Sequence, residues 1–244
     1  MAEDIKSCES CSLTVILSWT LTCVAGKYGH DSPVTTLVVS SDGQCVATAS
    51  TDSTIIVWDA REACILQEWF TCHGEVWDLA FSPDSRHLAS AGEDGKVAIW
   101  DISGSPRQVA NLEGHPSVVK GCTWSSDGAY IASRDSDNGV RLWDGRTFQP
   151  LPLTGKPGHD SPITTLVVSP DGRFVATASM DSTIILWDAR DAYISQEWFS
   201  RHGEVWCFAF SPDGRHLASG GEDGKVAIWD ISRSLHQVAV LESH

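Results

Sequence analysis

Positive charge is scarce in this 244-residue sequence: 17 Lys and Arg stand against 32 Asp and Glu, a formal net charge of −15. A surface that acidic repels phosphate backbones and anionic lipid, which argues against nucleic acid and membranes as partners and favours basic peptides. Long hydrophobic runs are also lacking. The single extended one, SLTVILSWTLTCVAG at 12–26, is too short to span a bilayer comfortably. The MAEDIKSCES before it lacks the basic start of a signal peptide. There is no glycine-rich phosphate loop leading into a helix and no HExxH pair. Cys8 and Cys11 have the spacing of half a zinc site, yet no second CxxC or His pair follows at a usable distance. No cofactor and no metal are therefore expected. No segment sustains a helical period.

What is present is an apolar fraction of 42% and eleven Trp, enough to fill a sizeable core and to exclude general disorder. The dominant feature is an internal repeat. GHDSPVTTLVVSSDG from Gly29 returns as GHDSPITTLVVSPDG from Gly158, an offset of 158 − 29 = 129 residues, and 29–115 matches 158–244 at about three quarters of positions. The duplication also tests the eight cysteines. Cys45, Cys64 and Cys72 are matched by Phe174, Tyr193 and Arg201, and Cys207 by Asp78. Positions that accept such exchanges do not hold a disulfide framework, and reduced thiols inside the cell, in cytoplasm or nucleus, fit best.

Within the long unit runs a shorter period of roughly 42–44 residues, the length of a four-stranded propeller blade. Aligned on His30, His73, His115, His159 and His202, each unit reads alike. A strand such as TTLVVS or WDLAFS meets a tight turn such as SSDG or SPDG. A second strand (CVATAS, HLASAG) and an Asp-containing turn follow, then a third strand ending in Trp-Asp (TIIVWD, KVAIWD) and a variable fourth. Short β-branched runs punctuated by Asp-Gly and Pro-Asp are hairpin signals, so the fold class is all-β.

On these residues the chain resembles the WD40 (G-protein β-subunit-like) repeat family, over 29–244 almost without a gap. The resemblance implies a β-propeller of four-stranded antiparallel blades: five complete repeats, at about 29–71, 72–114, 115–157, 158–200 and 201–244. A partial N-terminal blade remnant, 1–28, would be a strand of an incomplete or closing blade. Ten residues before each repeat's Trp lies a hydroxyl, and six before it a carboxylate. With the leading histidines these match the family's structural tetrads: His30, Thr48, Asp52, Trp58; His73, Ser90, Asp94, Trp100; His115, Ser133, Asp137, Trp143; His159, Thr177, Asp181, Trp187; and His202, Ser219, Asp223, Trp229. An indole N–H only donates, a hydroxyl accepts and donates, and an imidazole bridges onward to a carboxylate. Such a relay satisfies buried polar groups and pins the loop between blades. A Ser–His–Asp set occurring once would suggest a hydrolase. One occurring five times, with Thr replacing Ser in two, indicates architecture, so no catalytic residue is expected and the chain is not read as an enzyme.

The resemblance also places ligand contacts on the top face, around the mouth of the central channel. Carried onto this sequence, the residues before the tetrad carboxylate are Thr51, Glu93, Ser136, Met180 and Glu222. The starts of the innermost strands are Thr35, Trp77, Lys120, Thr164 and Trp206, and two residues upstream stand Pro33, Glu75, Val118, Pro162 and Glu204. Trp77 and Trp206 have no evident core role, because Val76, Leu79, Val205 and Phe208 already supply the inward pattern. Flanked by Glu75, Glu93, Glu204 and Glu222, the two indoles suit a Lys- or Arg-containing peptide through cation–π and charge-assisted contacts. The bland alternative is that the indoles pack on loops and the glutamates form a solvated face. Trp69 and Trp198, in the QEWF segments of the outermost strands, read either as cover for the blade edge or as contacts with a second subunit.

The expected function is a non-catalytic scaffold or adaptor binding peptides or proteins on its top face. Two further classes fit the resemblance: the ligand-sensing module of a larger NOD-like regulatory protein, and the substrate receptor of a ubiquitin ligase. Closure is open at this stage. A small ring using the N-terminal strands, an open propeller, and a ring completed by another chain all fit, and an open form would self-associate through its unclosed edges.

Overall fold

The structure, a computed structural model, describes residues 29–153, 158–191, 193–232 and 236–241. The expectations for 1–28, including Cys8 and Cys11 and the closing strand, lie outside the described residues. The described chain is five four-stranded antiparallel sheets, each made of four successive strands. Blade 1 is β1 (Val34–Val39), β2 (Cys45–Ser50), β3 (Thr54–Asp59) and β4 (Ile65–Phe70). Blade 2 is β5 (Val76–Phe81), β6 (His87–Gly92), β7 (Val97–Asp101) and β8 (Arg107–Leu112). Blade 3 is β9 (Val119–Trp124), β10 (Tyr130–Asp135), β11 (Val140–Asp144) and the short β12 (Pro150–Leu151). Blade 4 is β13 (Ile163–Val168), β14 (Phe174–Ser179), β15 (Thr183–Asp188) and β16 (Tyr193–Phe199). Blade 5 is β17 (Val205–Phe210), β18 (His216–Gly221), β19 (Val226–Asp230) and β20 (His236–Leu241).

The turn chemistry explains the first hairpin of every blade. After β1, the Ser40 hydroxyl donates to Asp42 Oδ1 at 2.6 Å, Gln44 N–H donates to the same oxygen at 2.9 Å, and Cys45 N–H donates to Ser40 Oγ at 2.9 Å. Gly43 takes φ 68°, a left-handed conformation that costs a glycine little. Blade 2 places Ser85 there instead, at φ 58°, with the same Ser82–Asp84 frame around it.

The cores lie between blades. Ala47, Ala49, Ile55 and Val57 of blade 1 pack on Val76, Leu79, Leu88 and Trp100 of blade 2. Ala89, Ala91, Val97 and Ile99 of blade 2 meet Val119, Cys122, Trp124 and Trp143 of blade 3. Blade 3 offers Tyr130, Ala132 and Leu142 to Val175, Ile185 and Trp187 of blade 4, and blade 4 offers Ala176, Ile184 and Leu186 to Val205, Phe208 and Trp229 of blade 5. Small residues on one face and large ones on the next interlock, so each blade is stable only beside its neighbours. Inner strands stand side by side in the order β1, β5, β9, β13, β17. Among the described residues no fifth core joins blade 5 back to blade 1, and the sheets do not close into a ring. Val34 and Leu37 of β1 are therefore 53% and 57% exposed, whereas their counterparts Val76 and Leu79 are 0% and 2% exposed.

Candidate functional site

The polar relays are built from three elements in each blade: the loop before the innermost strand gives the His, the second strand the hydroxyl, and the third strand the Trp. In blade 2, Trp100 Nε1–H donates to Ser90 Oγ at 2.8 Å, His73 Nε2 lies 2.8 Å from that oxygen, and His73 Nδ1 lies 2.7 Å from Asp94 Oδ1. With the carboxylate accepting at Nδ1, the ring carries its proton there and Nε2 accepts from Ser90. Blade 5 repeats this with Trp229, Ser219, His202 and Asp223, the Nδ1–Asp223 distance being 2.7 Å.

Blades 1 and 4 insert one more group. His30 Nδ1 is 2.7 Å from Thr54 Oγ1, and His159 Nδ1 is 2.8 Å from Thr183 Oγ1; each of these hydroxyls donates to the neighbouring carboxylate, Asp52 or Asp181. The direct imidazole–carboxylate distances are longer, 3.6 Å to Asp52 and 3.5 Å to Asp181. Thr48 and Thr177 hold the other ring nitrogen at 2.7 and 2.8 Å and accept from Trp58 and Trp187.

Blade 3 departs from the spacing. His115 Nδ1 contacts Asp135 Oδ2 at 2.7 Å, and Asp137 is exposed. Asp135 stands in register with Gly92 and Gly221, positions where an added Cβ would meet the relay histidine at 2.3 and 2.7 Å. Its carboxylate also accepts from Asp137 N–H at 2.9 Å and Gly139 N–H at 2.7 Å. Gly139 makes the room, because a Cβ there would lie 2.5 Å from Asp135 Oδ2. Ser133 and Trp143 complete the relay at 2.7 and 3.0 Å.

The surroundings shift the titration of several of these groups. Burial works against the Asp52 carboxylate, but hydrogen bonds from Thr54 and Asp31 N–H, with His30 nearby, outweigh it and take its pKa down to about 2. Asp135 is lowered in the same way, burial being overcome by His115 and Gly139. Burial holds His159 below the usual imidazole range. Ser90 is fully buried, which closes its hydroxyl to a substrate, and it accepts from Trp100 while donating to His73.

A different device shapes the top face. Register shifts fall in the first part of every innermost strand, between Val34 and Thr36, Val76 and Asp78, Ile163 and Thr165, and Val205 and Cys207, and opposite Arg134 and Asp135 in blade 3. The unpaired residue in each is Thr35, Trp77, Lys120, Thr164 or Trp206, and such bulges re-aim a side chain. The five side chains then differ. Thr35 Oγ1–H donates to Val76 O at 2.5 Å, and Thr164 Oγ1–H donates to Val205 O and, at 3.1 Å, to Ala178 O; both tie one blade to the next or to its own sheet. Lys120 of blade 3 sits over Trp77 of blade 2, its Nζ 3.0 Å from the ring centroid. The Trp77 N–H is buried without a hydrogen-bond partner. Trp206 is 57% exposed and donates to Glu204 Oε2 at 3.3 Å. Met180, Glu93 and Glu222 are exposed, and Glu75 is half-buried.

A cavity of about 450 Å³ opens between the inner strands, lined in part by Val34, Thr35, Trp77, Lys120, Thr164 and Met180. Two of its residues, Asp78 and Arg134, were not among the expected site positions. Asp78 accepts from Thr36 Oγ1 of blade 1 at 3.2 Å and from Cys122 N–H of blade 3 at 3.0 Å, and burial pushes its carboxyl upward. Arg134 donates to Ile163 O of blade 4 at 2.6 Å. A carboxylate inside the apolar strand VWDLAF was the available signal for Asp78. Trp69 and Trp198 cover the blade edge, meeting Trp100 and Trp229 in tilted contacts with centroids 5.6 and 5.8 Å apart. The five described cysteines are all free, and among the described residues there is no His/Cys/Asp/Glu cluster able to hold a metal ion. No helix among them is long and apolar enough to cross a membrane.

Blades of this pattern, packed through interlocking cores and pinned by repeated His–hydroxyl–Trp relays, define a propeller-type repeat protein. The repeat family described as "WD domain, G-beta repeat" matches residues 21–59, 64–101, 106–144, 151–188 and 195–230, and the chain belongs to it. Among curated proteins it is similar to a "Chromatin assembly factor 1 subunit FAS2 homolog" of Oryza sativa subsp. japonica, 37% identical over 121 residues, which is 47% of this chain and 24% of that protein. It is also similar to a "Serine-threonine kinase receptor-associated protein" of Gallus gallus, 36% identical over 119 residues, 49% of this chain and 33% of that protein. The mouse protein of the same name is 34% identical over the same length. The chain thus spans a quarter to a third of the curated relatives it matches.

Proposed function

We propose that this chain is a non-catalytic scaffold whose top face holds a basic segment, containing Lys or Arg, of a partner protein. The observation that carries this reading is the exposed Trp206, held by Glu204 with Glu222 on the adjoining loop, on a chain of net charge −15. An open indole face beside carboxylates is favourable for a cation, and an acidic surface speeds the approach of basic partners. The similarity to a receptor-associated protein and a chromatin assembly factor subunit supports a role among protein complexes. Free cysteines favour a reducing, intracellular location.

The test is calorimetric titration of the intact chain with basic, neutral and acidic peptides at two salt concentrations. Basic peptides should bind, more weakly at higher salt, and Trp206→Ala should reduce their affinity about tenfold without altering the fold. Equal affinity for all three peptides, or an unchanged affinity in a folded Trp206→Ala, contradicts the proposal.

A further inference from the structure

Blades 2 and 5 are two copies of one design that stand in different situations. Each has Glu-Val-Trp entering its innermost strand, with a Glu before the relay Asp: Glu75, Trp77 and Glu93 in one, Glu204, Trp206 and Glu222 in the other. The second glutamates are placed alike, each carboxylate close over the glycine after the relay histidine (2.6 Å from a Cβ built on Gly74, 2.7 Å from one built on Gly203). The indoles are not alike. Blade 3 follows blade 2 and lays Lys120 over Trp77. Blade 5 is the last described blade, and Trp206 stays more than half exposed.

Among the described residues, one copy of the seat is therefore occupied and the other open. We infer that Trp206 is a lysine seat, filled by a lysine that another protein presents on an extended segment, and that Lys120 is the built-in occupant closing the duplicate seat at Trp77. This rests on the reading of the top face as a binding surface for basic segments, and it adds the residue recognised and the reason one seat is closed. Lys120 is the bulged residue of its strand, so a single extended segment suffices to present an ammonium to the ring. The copies differ below the indole, where Asp78, the acceptor of Cys122 N–H, is replaced by Cys207. Recognition at Trp206 is accordingly by side chain more than by strand backbone.

The experiment uses the intact chain and the blocked peptide Ser-Val-Val-Lys-Gly-Ser-Thr, together with versions carrying norleucine or arginine in place of lysine. One site is expected in the wild type, weakened about tenfold by norleucine and by Trp206→Ala, and stronger for lysine than for arginine. Lys120→Ala should add a second site that disappears again in Lys120→Ala/Trp77→Ala, with the thermal transition of each variant reporting its fold. Should Lys120→Ala unfold, the wild-type comparison of lysine, norleucine and arginine peptides decides the lysine assignment by itself. A single site in a folded Lys120→Ala, or equal binding of lysine and norleucine peptides, overturns this inference. If basic peptides still bind through Trp206, the scaffold reading survives that failure; if no basic peptide binds at all, both fail together.

Discussion

At the residue scale, the relays are sets of donors and acceptors that are satisfied only together. Removing Asp135 leaves the buried His115 N–H and two backbone N–H groups without their acceptor, so Asp135→Ala should cost about 1–3 kcal/mol. Asp137→Ala, on an exposed side chain, should stay within about 0.5 kcal/mol in urea unfolding. Equal losses would contradict the assignment. Counting six residues back from Trp located the carboxylate in four relays. It failed in blade 3 because Gly139 opens space that lets a carboxylate two positions earlier reach the ring. The threonine relays through Thr54 and Thr183 were also illegible, since spacing does not show which of two neighbouring oxygens a ring nitrogen meets. Ser85, at φ 58° where blade 5 has Gly214 at φ 67°, is a strained position; Ser85→Gly should raise stability by about 1 kcal/mol, read as a higher urea midpoint. The relays also set a pH dependence. Asp52 and Asp135 are held below their unfolded pKa, which for aspartate is 3.8, so their stabilisation is present above that value and lost as pH falls towards about 2 for Asp52. His159, also depressed, favours the fold above 6.5 and disfavours it as pH falls through its folded pKa. Asp78 has the opposite sign but stands alone against the lowered carboxylates. Urea midpoints should be flat from neutrality up to the alkaline range where cysteine ionises in the unfolded chain, and decline on acidification; a midpoint that rises on acidification would contradict this.

At the scale of the strand and the blade, the sequence was most informative. Alternating β-branched runs and Ser-Pro-Asp-Gly turns place the strands, and of the two readings of the QEWF indoles edge cover is the one found. Trp69 belongs to the core between blades 1 and 2 and meets Trp100 in a tilted contact, so Trp69→Ala should cost about 3 kcal/mol, the lower end for removing a large aromatic because the side chain is only half-buried. The bulges were not legible. A period of two says which face a residue takes, but not that one residue drops out of the ladder. Their outcome also depends on the neighbouring blade: the hydroxyls of Thr35 and Thr164 reach backbone carbonyls of the adjoining blades. Lys120, one of the expected top-face positions, lies over Trp77 of the preceding blade.

At the scale of the whole molecule, five blades stand in sequence, and among the described residues no core joins the last to the first. The face of β1 that carries Val34 and Leu37 is the one that the preceding blade seals in blades 2 to 5. The repeated relays are architecture, and the binding proposed above is assigned to Trp206, the indole that stands most open on the top face among the described residues. The most direct test is the set of Trp indole N–H signals in a heteronuclear NMR spectrum, assigned by substitution, as the lysine peptide is added. The Trp206 signal should move with saturable dependence on peptide, while those of Trp58, Trp100, Trp143, Trp187 and Trp229 stay in place. Movement of the relay signals with Trp206 unchanged would contradict the account.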